Sequence, residues 1–140
     1  MTQIARRTAS SVPGVLDLLA SARRGLTEAM LSPRPAERYA AAHLAALRGA
    51  AAVLAARTRP TPSRRGPRSA WELLTQAAPE LTEWATFFAA GATKRSAAEA
   101  GLDVVTSREA DDLLRDAETF LALVDTTVGV PHQIALPRVS

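Results

Sequence analysis

Apolar and polar positions alternate at helical spacing along most of this chain. From about Pro13 to Leu31 the apolar set is Val15, Leu16, Leu18, Leu19, Ala22, Leu26, Ala29 and Met30, with Arg23, Arg24 and Glu28 off the stripe. That is the pattern of an amphipathic helix burying one side. "SPRP" at 32–35 interrupts it. Pro35 suits the first turn of a second helix, where its missing N–H has no partner to lose. The run "PAERYAAAHLAALRGAAAVLAAR", 35–57, predicts that helix, about 34 Å long.

Proline, glycine and hydroxyl side chains then dominate "TRPTPSRRGPR", 58–68, which predicts an irregular linker held extended by its prolines and like charges. Ser69 and Glu72 have the spacing of a capping box and open a third helix. Pro79 is expected to kink or split it, with a second piece from Pro79 to about Ala100 and Gly101 as its stop. Thr106 and Glu109 repeat the capping box and open a fourth helix, which ends at Gly129. Its predicted buried face is Ala110, Leu113, Leu114, Ala117, Leu121, Val124 and Val128. No stretch alternates with the period of a strand. Four amphipathic segments with short breaks predict an all-α fold, an antiparallel up-and-down bundle of four to five helices. The expected organisation is a frayed N-terminus over 1–11, one domain over 12–130 with the arginine–proline linker inside it, and a tail over 131–140.

Composition supports this reading. The chain has 140 residues, the length of one domain. Thirty are alanine, the strongest helix former because it loses no side-chain entropy. Cysteine is absent, which excludes a disulfide scaffold, a thiolate metal site and a cysteine nucleophile. Asp17 interrupts the only candidate leader segment, and no run of 18 uncharged apolar residues occurs. The expectation is a cytoplasmic protein without a membrane partner.

Charge adds an asymmetry. Residues 1–68 carry a surplus of nine positive charges, and residues 69–140 a surplus of six negative ones. A basic half attracts nucleic acid or an acidic partner, and can equally be neutralised by the acidic half of the same molecule or of a dimer mate. Arg57, Arg59, Arg64, Arg65 and Arg68 lie together without an acid and are the candidate nucleic-acid contacts.

Other chemistry is sparse. Arg38 and His43 have an R-x4-H spacing, which suggests a general acid–base histidine and a phosphate-stabilising arginine. Five positions along a helix turn the pair about 140° apart, however. His43 aligns instead with Tyr39, Ala46, Leu47, Ala50, Val53 and Leu54, as a core histidine would. Glu109, Asp112 and Asp116 share one helix side, with Arg108 and Arg115 to balance them, and read as a solvated face. Trp71, Trp84, Phe87 and Phe88 read as core. His132 stands alone in the tail. No glycine-rich phosphate loop, nucleophile elbow or metal-ligand spacing is present, so neither a cofactor nor a metal is expected.

As a run of segments, "ERYAAAHLAALRGAAAVLAAR", the arginine–proline linker, "SAWELL…APELTEWATFFAAGATKR" and "READDLLRDAETFLALV" resemble small HEPN-domain (higher eukaryotes and prokaryotes nucleotide-binding) proteins of high-GC bacteria. The resemblance covers about residues 12–130. It implies a helical bundle, often a homodimer, whose catalytic members are metal-independent ribonucleases with an R-x4–6-H motif, and whose other members bind RNA, nucleotides or proteins. In catalytic members the motif lies late in the fold. Here Arg38 and His43 lie in the second helix, and the late region offers Lys94, Arg95 and Arg108 but no histidine. The function expected is therefore RNA or nucleotide binding without robust catalysis. The alternatives are a toxin-type ribonuclease using Arg38 and His43, or a module that docks a protein partner.

Overall fold

A computed structural model describes residues 2–57 and 69–129, with side chains from residue 14 onward. Its helices are α1 (Thr2–Leu31), α2 (Pro35–Arg57), α3 (Ala70–Ala77), α4 (Thr82–Ala90), α5 (Ala92–Glu99) and α6 (Ser107–Val128), with one 3₁₀ turn at Pro79–Leu81. The fold is the all-α bundle that the periodicity predicts. The linker 58–68 and the C-terminal tail lie outside the described residues.

Alanine makes α2 the centre of the bundle. Tyr39, Ala42, His43, Ala45, Ala46, Gly49, Ala50, Ala52 and Val53 are all buried, and they point in several directions around the helix. Methyl-sized side chains allow neighbours to approach closely on every one of those sides. α1 packs antiparallel, with Arg48 of α2 reaching the Ser21 carbonyl (3.4 Å). α6 runs parallel to α2: Asp111 near its start pairs with Arg38, and Leu121 further on meets Gly49. A Cβ at Gly49 would collide with Leu121, so glycine at this position is a packing requirement. By length and composition α2 is also apolar enough to cross a membrane, but half of that window is buried inside the bundle.

Helix boundaries follow the capping chemistry. Ser69 accepts from the Glu72 N–H (3.1 Å), while the Glu72 carboxylate accepts from the Ser69 N–H (3.2 Å). Thr106 and Glu109 do the same at 3.0 and 2.9 Å. Gly101 and Gly129, the expected helix stops, both hold left-handed φ, 87° and 79°.

Several details differ from the sequence reading. α1 begins at Thr2, so Pro13 lies within the helix and does not start it. Its buried stripe is narrower than predicted. Val15, Leu19, Ala22, Leu26 and Ala29 face the core, whereas Leu16 and Met30, each one position off that line, stay about half exposed. The segment after Pro79 is not one helix. It breaks at Gly91, where the backbone passes α2 so closely that a Cβ would stand 2.9 Å from the Tyr39 hydroxyl. On α6, Phe120 is wholly buried. Its ring stands 5.1 Å from Phe88 and 5.7 Å from Trp84, completing an aromatic core with Trp71. Of the aromatics expected there, Trp84 is half-buried and Phe87 is 44% exposed.

Candidate functional site

Arg38 and His43 leave the same helix in different directions, as their 140° offset requires. Arg38 is held at the base of the bundle. Its Nη1 meets Asp111 Oδ1 at 2.6 Å, its Nε donates to the Ser32 carbonyl at 3.1 Å, and its Nη2 donates to the Pro33 carbonyl at 3.2 Å. Every guanidinium nitrogen is thereby engaged. The side chain ties the α1–α2 turn to the start of α6.

His43 is fully buried. Its ring lies 5.8 to 6.5 Å from the rings of Phe88, Trp71 and Tyr39. A carbonyl can only accept, so Nε2 donates its proton to the Phe88 carbonyl, at 2.8 Å. That fixes the tautomer and leaves Nδ1 as a bare acceptor, buried and without a partner among the described residues. Burial holds the His43 pKa below its ordinary value, and nearby Arg95 pushes the same way against the Phe88 bond. The imidazole is neutral and sealed behind aromatic rings. It has no path to a ribose hydroxyl, and the R-x4-H spacing brings no second group beside it.

Most cations of the bundle are engaged with acids. Arg23 pairs with buried Asp125, Arg34 with Glu37, Arg57 with Glu80, Lys94 with Glu109, Arg95 with Glu99, and Arg108 and Arg115 with Asp112. The Lys94 ammonium, bonded to Glu109 at 2.5 Å, holds that carboxyl below its ordinary range. Arg57, a candidate nucleic-acid contact, sits 2.7 Å from Glu80 and donates to the Ala77 carbonyl at 3.3 Å. The other candidates, Arg59, Arg64, Arg65 and Arg68, lie outside the described residues. No group of three metal-ligating side chains is present among the described residues. Asp116, on the acidic side of α6, is pushed up by its own partial burial and by Asp112.

One concavity escapes sequence reasoning. A cleft of about 650 Å³ opens where the end of α1, the start of α2, α5 and the α5–α6 loop meet. Small side chains such as Ala36, Ala40 and Ala98 form its floor, and Glu28, Glu37, Glu99 and Asp103 its rim, with Arg34 as the one basic lining residue. Its volume is that of a ligand pocket, but its charge repels phosphate. These residues come from four parts of the chain, so no local motif announces them.

The fold is thus a helical bundle whose conspicuous histidine serves the core. Residues 29–125 match the family model of SAV_6107-like HEPN domains. The chain belongs to this HEPN family, whose members are nucleotide- and RNA-related helical domains. No curated protein and no solved structure matches the chain significantly.

Proposed function

We propose that this HEPN protein is a non-catalytic RNA-binding module whose phosphate contacts come from the arginine-rich stretch joining α2 to α3. The observation that carries this reading is the distribution of charge. All 14 carboxylates of the chain lie between Asp17 and Asp125, within the described bundle, and most cations there are bonded to one of them. Arg59, Arg64, Arg65 and Arg68 have no acidic neighbour in their stretch. Arg57, held by Glu80, anchors its beginning. Arginines close in sequence with no acid among them bind a phosphate backbone without reading its bases, and release counterions in doing so. The acid-rimmed cleft argues against a nucleotide pocket as the primary site. The sealed, neutral His43 argues for binding without cleavage.

A native gel of the full-length protein with labelled single-stranded RNA, run in EDTA, tests this. A shift with intact RNA is expected. Engagement of four phosphates gives a log–log salt slope of about −3, and replacing the four arginines by glutamine abolishes the shift. Cleaved RNA would overturn the reading in favour of a ribonuclease. Unshifted RNA would overturn it in favour of a module for protein partners.

A further inference from the structure

The acid-rimmed cleft and the arginine-rich stretch have complementary chemistry, and neither residue that flanks the stretch, Arg57 or Ser69, lines the cleft. The cleft is built around Pro35 to Ala41 at the start of α2. The stretch departs from Arg57, at the other end of that 23-residue helix, about 34 Å from its start. It rejoins the fold at Ser69, where α3 packs on α2 and α4. The cleft opens elsewhere, between α1, α2 and α5.

We propose that the cleft is a docking groove for residues 58–68 of a second copy of this chain, so that copies associate head to tail. The groove has an alanine floor, and Leu102, 55% exposed, lies along it. Its rim is only half neutralised by the protein itself. Glu37 meets Arg34 only at 3.6 Å, on the surface, and Glu99 meets Arg95. Glu28 and Asp103 have no ion-pair partner among the described residues. An anion is repelled there, and the carboxylates do not converge on a metal site. A cationic peptide is attracted, and arginine is the side chain best suited to carboxylates because its planar fork bonds both oxygens. The stretch "TRPTPSRRGPR" supplies four arginines, no acid and three prolines. Its prolines reduce the freedom lost on docking. A groove that fits a different segment of the same chain makes a heterologous interface, which grows copy by copy until it closes into a ring. The same arginines serve the RNA reading above, so RNA and the groove compete for them. The association itself does not depend on RNA.

Sedimentation velocity of the full chain without RNA tests the proposal. The expected result is a mass that rises with concentration at low salt and returns to monomer at about 0.5 M salt, where charge attraction is screened. The double variant Glu28→Gln/Asp103→Asn, at two exposed positions, is monomeric at concentrations at least tenfold above those at which the wild type associates, with an unchanged helical circular dichroism spectrum. The variant with Arg59, Arg64, Arg65 and Arg68 replaced by glutamine is monomeric too. Mixing the two restores association, and only as 1:1 dimers, since each pair keeps one working groove and one working stretch. A wild type that stays monomeric overturns the proposal. So does a groove variant that associates like the wild type, or a mixture that stays apart. The groove variant retains its RNA shift if the binding reading is right, so the two readings fail separately.

Discussion

His43 on α2 donates its Nε2 proton to the main-chain carbonyl of Phe88 on α4, across 2.8 Å in the wholly buried centre of the bundle. The bond fastens the last turn of α4 to the central helix, just before the chain bends at Gly91. His43→Ala removes the donor, strands the carbonyl and opens a cavity against Trp71 and Phe88. A loss of about 2–4 kcal/mol is expected from those combined effects, measured as a lower urea midpoint with an unchanged slope. RNA affinity of the folded fraction stays at the wild-type level. A variant as stable as wild type would contradict the structural role.

Stability should also depend on pH through this residue. Burial keeps the folded His43 pKa below the ordinary 6.5. The unfolded chain therefore takes up a proton near pH 6.5 that the folded chain refuses. The contribution is complete above that pH and is lost progressively as pH falls below it, at up to about 1.4 kcal/mol per pH unit. Urea midpoints between pH 8 and 5 would reveal the decline, and in His43→Leu that portion of it should flatten.

Arg38 offers a contrast between charge and geometry. Its side chain is 16% exposed and serves two carbonyls as well as Asp111, whose side chain is 57% exposed. Arg38→Ala is expected to cost about 1–2 kcal/mol, because the Ser32 and Pro33 carbonyls lose their donor. Asp111→Asn should cost no more than about 0.5 kcal/mol, the scale of an exposed ion pair. Equal costs in thermal melts would mean that the pair, and not the turn, is what Arg38 secures.

Gly49→Ala pits propensity against packing. Alanine favours a helix by about 1 kcal/mol over glycine. The added methyl would drive into Leu121, which is itself 1% exposed, and overpacking of this kind costs about 1–3 kcal/mol. A net loss is expected. Leu121→Ala should cost less in the Gly49→Ala background than alone, a coupling that a double-mutant cycle would read.

Much of this molecule was legible in its sequence, for identifiable reasons. Helix ends at Ser69, Thr106 and Gly129 depend on side chains next to the break, so local spacing sufficed. The core role of His43 followed from its alignment with Tyr39 and Ala46. The break at Gly91 did not follow, because it depends on how near the Tyr39 hydroxyl comes, a contact across more than fifty positions. Buried Asp125 was equally hidden: it pairs with Arg23, 102 residues earlier. The cleft gathers Glu28, Glu37, Glu99 and Asp103 from separate elements, and nothing near any one of them marks it. The arginine stretch was conspicuous as composition, and composition names a charge without naming its ligand.

The parallel pairing of α2 with α6 has a consequence for the order of assembly. α1 and α2 are neighbours in the chain and form a hairpin as soon as both exist, whereas α6 meets α2 across 73 residues, as the Arg38–Asp111 pair marks. Closing so long a loop costs entropy before any contact compensates it. A nascent chain that has released α2 but not yet α6 therefore displays an alanine-paved helix with the length and apolarity of a membrane span. The interval between those two helices is when this protein most needs shelter from its surroundings.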